Sequence, residues 1–381
     1  MLASNIISLF PPLHFGPEAL SYLVQLVRKH GTRVLLLHGS RSWNLEETLS
    51  QAPLELTSWQ IHGEPQADTI DGIIAECRLL QIEVVIAVGG GSVLDAGKAV
   101  AAMIPLTGSV VDYLEGIGTQ KHPGTCTPWI AVPTTAGTGS EATTNAVLKG
   151  VAPNGEHYKR SLRHPAFLPV AIFLDPALQI GMPLATTSAC AMDALSQLLE
   201  SYTSKNATPE SDLVVSEGLR HAALGLLALE RGQDNLEMRS HLALAALCSG
   251  YGLSHAGLGL VHGLAGVIGG LHEIPHGVVC ANLIAPAFSA VTDWVQIHPG
   301  KDSEVCLQKL AYAKACFARE NPAEMLPETL HRLARKFHFP KFSTFGITRA
   351  DILHIAELGS NRASPALLTK EEILAVLGEA W

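Results

Sequence analysis

The hydrophobic positions follow one pattern in the first half of the chain and another in the second. In the first half, short uninterrupted apolar runs alternate with segments in which apolar residues recur at helical spacing. Short apolar runs between helices are typical of strands that are buried on both faces of a parallel sheet. The pattern predicts an α/β domain with a mostly parallel sheet. The predicted strands are 33–38, 83–88, 129–132 and 171–175, and the predicted helices are 17–30 and 68–80.

Beyond Pro183 the strand pattern ends and helical spacing continues. We therefore place a boundary near residue 180, with an α/β domain over 1–180 and a helical domain over 181–381. The helices predicted in the second domain are 187–203, 210–231, 235–253, 281–294 and 305–321.

The composition indicates how large a core the protein can form and to which class of protein it belongs. The chain has 381 residues, of which 47% are hydrophobic and 16% are charged, and its net charge is -9. These values predict a globular protein with a large core and argue against a nucleic-acid partner. Charged residues this sparse leave apolar surface for another subunit to cover, so we expect a homodimer.

The cysteines and the first residues bear on location. The seven cysteines are scattered and form no CxxC pair, which is typical of reduced thiols. Residues 1–12 lack the basic start and long apolar core of a signal peptide. No window is apolar and uncharged for long enough to span a bilayer. We therefore expect a cytoplasmic protein with no membrane partner.

Two polar loops follow predicted strands. Gly89-Gly90-Gly91-Ser92 stands where a strand gives way to a helix, whose N-terminus offers free N–H groups to a phosphate. The segment 133–141 follows the next strand with four hydroxyl side chains and two glycines. The first loop is neither GxGxxG nor a Walker A motif, and each loop alone is also compatible with an ordinary turn. Together they favour a dinucleotide or phosphate ligand.

Three histidines stand in an apolar, glycine-rich segment of the helical domain. They are His262, His272 and His276, and imidazoles in such surroundings indicate a shaped, buried site. Residues 272–276 match the HExxH pattern of zinc proteases, but Pro275 disfavours the continuous helix that this pattern needs. We expect His276 to open the next helix instead.

Asp193 and Gln197 are spaced so that both side chains lie on one face of a helix. Asp193 stands among apolar residues, and a buried carboxylate requires a partner. A cation is one such partner, and a helix cap or a salt bridge is the alternative.

Taken together, these motifs resemble the iron-containing (group III) alcohol dehydrogenase family. The resemblance implies a Rossmann-like dinucleotide-binding domain, a helical domain, and an active site in the cleft between them, an architecture shared with dehydroquinate synthase. It also implies a nicotinamide cofactor and a divalent metal, Fe²⁺ or Zn²⁺. The matching stretches, in the family's order and spacing, are GGGSVLDAGKAVA at Gly89–Ala101, PTTAGTGSEAT at Pro133–Thr143, FLDP at Phe173–Pro176, MDALSQLLESYTS at Met192–Ser204, and His262 to Gly277.

The resemblance also implies roles for individual residues. The cofactor's pyrophosphate and ribose region would be bound by one group, its nicotinamide side by a second group, and the metal by a third. Lys159 resembles the family's cofactor-contacting lysine. The three groups are, in that order, Gly90, Gly91, Ser92 and Asp95; Thr134, Thr135, Thr138 and Ser140; and Asp193, the residue four later, His262 and His276.

The chain departs from the family's pattern at two positions. Gln197 stands where the family usually has a histidine ligand, and Gly266 stands where it often has another histidine of the active site. The carbonyl oxygen of Gln197 can still bind a metal, and the alternative is that Gln197 binds substrate and the metal is lost. His272 is a candidate to replace the missing proton-relay group, and the alternative is a packed or solvated histidine.

Cofactor preference depends on the residues after the first predicted strand. An acidic residue there binds the ribose 2′-hydroxyl of NAD and repels the 2′-phosphate of NADP. This chain has Gly39, Ser40 and Arg41, which leave room for a phosphate and offer a donor and a positive charge. We therefore favour NADP over NAD, with a solvated Arg41 as the alternative interpretation.

The expected function is metal-assisted interconversion of a small-molecule alcohol and an aldehyde or ketone, coupled to NAD or NADP. Three alternatives remain open. One is a keto-acid reductase similar to maleylacetate reductase, and another is a lyase of the dehydroquinate-synthase type. The third is a cofactor-binding homologue with a degenerate metal site.

Overall fold

A six-stranded sheet, parallel throughout, organises the first part of the protein. The structure is a computed structural model, and it describes residues 4–40, 45–152, 155, 157–318 and 322–381. The strand order is β1-β8-β5-β4-β2-β3. The central strands are buried because they carry uninterrupted apolar runs. The bounds of the strands in this sheet are β1 Leu13–Phe15, β2 Arg33–His38, β3 Glu55–Gln60, β4 Val84–Gly89, β5 Trp129–Pro133 and β8 Ala171–Leu174.

The four predicted strands are confirmed as β2, β4, β5 and β8, with bounds that shift by no more than a residue. The predicted helix 17–30 is wrong in its first half. Glu18 has a left-handed φ of 68°, a 3-10 turn follows at Ala19–Tyr22, and the α-helix begins only at Leu23. The helices of this part are α1 Ser4–Ile7, α2 Leu23–His30, α3 Leu45–Ser50, α4 Ala67–Leu79 and α5 Gly91–Met103.

An antiparallel hairpin that the sequence pattern did not predict lies outside the large sheet. Its strands are β6 Asn145–Val151 and β7 His157–Arg163, paired so that Lys149 faces Lys159. Apolar and polar residues mix along both strands, so they lack the uninterrupted run that identifies a buried parallel strand.

The strand register brings the ends of three neighbouring strands to one edge of the sheet. His38 of β2 pairs with Val88 of β4, and Gly89 of β4 pairs with Pro133 of β5. The loops that follow these strands therefore start side by side. In an open parallel sheet, this edge is where ligands bind.

Helices make up the regular structure of the second part of the protein, as predicted. Five of them overlap the predicted helices: α6 Leu184–Thr203, α7 Pro209–Glu230, α8 Leu236–Ala256, α10 His276–Ile297 and α11 Lys301–Phe317. Residues 319–321, at the end of the last predicted helix, lie outside the described residues. Four further helices were not predicted, namely α9 Leu260–Leu271, α12 Leu326–Lys336, α13 Arg349–Leu358 and α14 Lys370–Ala380.

The chain divides into two compact units, one comprising Met1–Thr135 and Gly139–Ile180, the other Ala136–Thr138 and Gly181–Trp381. In the second unit, α9, α10, α13 and α14 share an apolar core that includes Leu264, Val279, Ile355 and Leu377. This core fixes the facing surfaces of α9 and α10, which carry the histidine segment.

Contrary to the expectation from the sequence that no window could span a bilayer, α10 is long and apolar enough to do so by length and composition, and the bent pair α8 and α9 passes the same test together. Within α10, 72% of the apolar window is buried inside the protein. Core helices of soluble proteins share this property, so the finding is weak support for a span.

Candidate metal and dinucleotide sites

Four potential metal ligands from three helices converge in the second unit. Asp193 lies on α6, His262 on α9, and His276 and Cys280 on α10, and one ligand atom from each lies within 4.8 Å of the others. Asp193 Oδ1 is 3.1 Å from His262 Nε2 and 3.6 Å from His276 Nε2. The carboxylate is only 2% exposed. The structure therefore brings together the aspartate and the two histidines that the sequence singled out, and adds Cys280.

The break between α9 and α10 makes this convergence possible. Helix α9 ends at Leu271, His272 is extended, and α10 begins at His276 directly after Pro275. The predictions that Pro275 interrupts the helix and that His276 opens the next one are confirmed. The HExxH residues therefore do not form the single helical face of a zinc protease.

Glu200 of α6 holds His262 from the side opposite Asp193. His262 Nδ1 donates to Glu200 Oε2 at 2.7 Å, and the same carboxylate accepts the N–H of Val261 at 2.5 Å. A proton on Nδ1 leaves the lone pair on Nε2, which is the nitrogen nearest Asp193. Glu200 was not among the residues predicted from the sequence, although residues 193, 197 and 200 share one helical face.

Gln197 lies against Asp193 on the same helix. Its Nε2 donates to Asp193 Oδ1 at 3.3 Å, while its buried Oε1 has no hydrogen-bond partner among the described residues. A buried oxygen without a partner is costly, and a cation or a bound hydroxyl would satisfy it. Oxygen and imidazole ligands around such an atom fit a divalent metal.

The charge of Asp193 also fits a cation. Burial by itself disfavours the charged carboxylate, but His276 and His262 beside it, together with the Gln197 amide, lower the pKa of Asp193 to about 2. The carboxylate is therefore anionic at neutral pH, and when the two imidazoles are neutral a bound cation would supply the opposing positive charge.

His272, the candidate relay, is not among the clustered ligand atoms. Its Nε2 lies 4.0 Å from Asp351 Oδ2 at the start of α13, and its side chain is largely buried. Gly266 is exposed on α9, and a Cβ there would meet no described atom within 4 Å. The missing histidine thus leaves an open position on the helix.

The two polar loops meet in the first unit. Thr134 N donates to Gly89 O at 2.9 Å, and a Cβ at Gly90 would lie 3.0 Å from Thr135 Oγ1. Helix α5 begins at Gly91 with Gly90 as an N-cap that makes no side-chain hydrogen bond, so its first N–H groups receive no cap from that residue. Ser92 lies in this first turn, half-buried. These loops supply a turn that fits an anionic group.

Asp95 and Ser140 bond to each other in this structure. Ser140 Oγ donates to Asp95 Oδ1 at 2.5 Å, and the other carboxylate oxygen accepts the N–H of Val147 at 3.0 Å. Lys98, one turn along α5, is fully buried and donates to Ser140 O at 2.8 Å and Asn145 O at 2.7 Å. Helix α5 thereby holds the end of the hydroxyl-rich loop.

The other residues that were expected to bind the cofactor differ in their partners and in their exposure. Lys159 pairs with Glu64 at 2.5 Å, and Thr138 is half-buried in the short segment that clusters with the second unit. Gly39 follows β2 and donates its N–H to Val88 O at 3.3 Å, and Ser40 is exposed. Arg41 lies outside the described residues.

Comparison with known proteins agrees with this fold. Residues 11–176 match the family described as iron-containing alcohol dehydrogenase, and residues 187–381 match the C-terminal domain of the Fe-containing alcohol dehydrogenase family. The chain belongs to the iron-containing alcohol dehydrogenase family. It is an oxidoreductase that acts on CH–OH groups, as the sequence analysis predicted.

Relatives in this family differ in their named substrates. The chain is 29% identical to the 1,3-propanediol dehydrogenase of Klebsiella pneumoniae over 96% of both chains. It is 32% identical to the NAD-dependent methanol dehydrogenase of Bacillus methanolicus over 53% of this chain and 54% of that protein. A crystal structure of a 1,3-propanediol oxidoreductase superimposes with a TM-score of 0.83 at 28% identity, over 97% of this chain and 98% of the other.

Proposed function

We propose that this protein interconverts a small-molecule alcohol and its aldehyde or ketone with NADP or NAD, assisted by a divalent metal held by Asp193, His262 and His276. The observation that carries the proposal is the position of Asp193 Oδ1, 3.1 Å and 3.6 Å from the two imidazole Nε2 atoms in a buried cluster. Gln197 Oε1 is buried on the same helix face as Asp193 and has no hydrogen-bond partner among the described residues, so it is available to a bound hydroxyl or to the metal.

The protein residues have distinct tasks in this reaction. When bound, the metal supplies Lewis-acid polarisation of the substrate oxygen. Asp193 provides the negative charge that retains a cation, and Glu200 fixes the tautomer of His262. When bound, the nicotinamide cofactor would supply the hydride acceptor, and the hydroxyl proton would leave to solvent or to a nearby base. His272, paired at 4.0 Å with Asp351, is a weaker candidate for that base.

The cofactor is proposed to lie at the edge formed by the loops after β2, β4 and β5. Gly90, Gly91 and Ser92 would contact its pyrophosphate through backbone N–H groups at the start of α5. Thr134, Thr135 and Thr138 would line the nicotinamide side. Asp95 and Ser140 would act mainly by shaping the loop, since they already bond to each other at 2.5 Å. Lys159 would contact the cofactor after exchanging its Glu64 partner.

We propose NADP as the preferred cofactor, because Gly39 and Ser40 present no carboxylate where a 2′-phosphate would lie. The name of the Bacillus methanolicus relative supports NAD instead. The ratio of kcat/KM for NADPH and NADH decides between them.

The proposal extends to assembly and location. Large apolar side chains such as Leu79, Ile297 and Leu367 are 84%, 70% and 71% exposed, which supports an additional subunit contact and hence a homodimer. All seven cysteines are free, which supports a reducing, cytoplasmic setting. Light scattering of the purified protein tests the first point, and fractionation of cells tests the second.

A substrate panel tests the function itself. Purified protein is assayed with alcohols, aldehydes, ketones and a dicarboxylate keto acid, each with NADH or NADPH, after loading with Zn²⁺ or Fe²⁺ and after chelation. We expect turnover of an alcohol–aldehyde or alcohol–ketone pair that disappears on chelation. Cofactor binding without turnover of any substrate, and without a stoichiometric divalent ion, would support the degenerate homologue instead.

A further inference from the structure

We infer that Cys280 is a ligand of the metal, so that the site consists of a carboxylate, two imidazoles and a thiolate and prefers Zn²⁺ over Fe²⁺. The inference rests on the proposed function, since it concerns the same metal. It changes the ligand set that the sequence implied, in which the fourth position belonged to Gln197.

The position of Cys280 carries the inference. It lies one helical turn after His276 on α10, so both side chains point from one face of that helix. Its Sγ is 3.7 Å from His262 Nε2 and 3.7 Å from His276 Nε2, and the residue is fully buried. The thiol therefore points at the two nitrogen atoms nearest Asp193.

The separations between ligand atoms match a tetrahedral centre. Bond lengths of about 2.3 Å to sulfur and about 2.0–2.1 Å to nitrogen or oxygen place a tetrahedral S···N edge near about 3.6 Å and an N···O edge near about 3.3 Å. The observed S···N separations are both 3.7 Å, and the N···O separations are 3.1 Å and 3.6 Å. Four of the six separations in the cluster therefore fit a tetrahedral centre, and all four ligand atoms lie within 4.8 Å of one another.

The Gln197 side chain is less suited to the fourth position. Its amide nitrogen is committed to Asp193 Oδ1 at 3.3 Å, which orients the carboxylate. Its free Oε1 then remains available to accept the hydroxyl of a bound alcohol. In this arrangement, Gln197 serves the substrate and Cys280 takes the place of the absent histidine ligand.

A thiolate changes which metal the site favours. Soft sulfur ligands favour zinc, and a metal-bound thiol is deprotonated, so metal binding forms a metal–sulfur bond and releases the thiol proton to solvent. Some catalytic zinc sites expand to five ligands in the transition state, and a site with these four ligands would have to do so to bind substrate.

Cobalt substitution tests the inference directly. The purified full-length protein is stripped with a chelator and loaded with Co²⁺, and its absorption is recorded along with metal content. We expect a sulfur-to-cobalt charge-transfer band in the near ultraviolet in the native sequence. Cys280→Ser should lose the band and weaken Zn²⁺ binding at least tenfold, whereas Cys306→Ser, at another buried cysteine of the same unit, should keep both.

Each result is decisive. If the native protein binds stoichiometric Co²⁺ but lacks the band, Cys280 is not a thiolate ligand. The proposed metal-dependent function still stands in that case. No stoichiometric metal in the native protein overturns both. The native spectrum decides even where Cys280→Ser fails to fold, and Cys280→Ala provides a second variant whose folding is checked by circular dichroism.

Discussion

Glu200 Oε2 lies 2.7 Å from His262 Nδ1, so a buried carboxylate on α6 sets the tautomer of a histidine on α9. The two residues are 62 positions apart in the chain. This pair determines which nitrogen of His262 faces Asp193.

Replacing Glu200 by glutamine removes the negative charge but keeps the shape of the side chain. We expect the affinity for Zn²⁺ to fall about 10–100-fold, because carboxylates bonded to metal-binding histidines raise their basicity and fix their orientation. Competition with a chromophoric chelator measures the change. The exposed Glu371→Gln on α14 is the matched control, and equal affinities in the two variants would contradict the assigned role of Glu200.

Gly263 and Gly266 both lie on α9, and we expect their replacement by alanine to have opposite effects on the free energy of unfolding. A methyl group at Gly263 would overlap the carbonyl oxygen of Ser360, whereas one at Gly266 meets no described atom within 4 Å. Gly263→Ala should cost about 1–3 kcal/mol of unfolding free energy or more. Gly266→Ala should be neutral or stabilise by about 0.5–1 kcal/mol through helix propensity.

Urea denaturation of both variants tests this contrast. Because His262 precedes Gly263, the first variant should also bind metal more weakly. A Gly263→Ala protein as stable as the native one would show that α9 can move away from Ser360.

We expect Lys98 to affect cofactor binding even though its side chain is fully buried. Its ammonium donates to Ser140 O, Thr143 Oγ1 and Asn145 O, which lie in or just after the hydroxyl-rich loop. Lys98→Met leaves these acceptors without their donor, at about 1–3 kcal/mol for each buried group. We expect the KM for the nicotinamide cofactor to rise at least tenfold while kcat changes less.

Initial-rate kinetics with varied cofactor separates the two constants. The exposed Lys29→Met on α2 is the control for loss of a positive charge. A Lys98→Met enzyme with the native KM would mean that the loop keeps its shape without this anchor.

The buried His221 contacts the half-buried His241, and this pair makes stability depend on pH. His221 Nδ1 lies 2.7 Å from His241 Nδ1, Arg220 donates to His221 Nε2 at 3.1 Å, and Glu217 lies 3.4 Å from that nitrogen. Since Arg220 can only donate, neutral His221 carries its proton on Nδ1 and donates it to His241. Burial, with Arg220 and His241 beside it, lowers the pKa of His221 to about 3.

The lowered pKa sets the direction of the effect. The unfolded chain takes up the proton near pH 6.5 and the folded protein only near pH 3, so the stabilisation is complete above 6.5 and falls as pH decreases towards 3. The slope for one proton is about 1.4 kcal/mol per pH unit. Denaturant unfolding at pH 7.5 and 5.5 should show a smaller loss in His221→Gln than in the native protein, and parallel losses would contradict the assignment.

Strands β2, β4, β5 and β8 could be predicted because each is an uninterrupted apolar run. Strand β1 is only three residues long, and β3 is partly exposed, so neither carries that signal. Helix α9 is rich in glycine, which lowers its helix propensity, and it forms because Leu264 and Ile268 pack into a core shared with distant helices. The spacing of residues within one segment does not reveal such tertiary contacts.

The candidate metal site could be predicted in part from residue types. Asp193, His262 and His276 stand out because ionisable side chains among apolar residues need an explanation. Cys280 does not stand out, since a cysteine in an apolar helix has the same pattern as an ordinary core residue. Its role depends on the angle between α9 and α10, which residue spacing does not specify. Glu200 shares one helical face with Asp193 and Gln197, but its contact with His262 depends on how α6 packs against α9, which residue spacing does not specify.

The pairing of β1 with β8 also has a consequence for synthesis on the ribosome. Leu13 pairs with Ile172, so the first strand of the sheet waits for a partner until nearly half of the chain has been made. Until then, the edge of β5 that β8 will cover is open to other strands. The nascent chain is therefore most exposed to aggregation before residue 174 emerges, and chaperone contact should be concentrated in that interval.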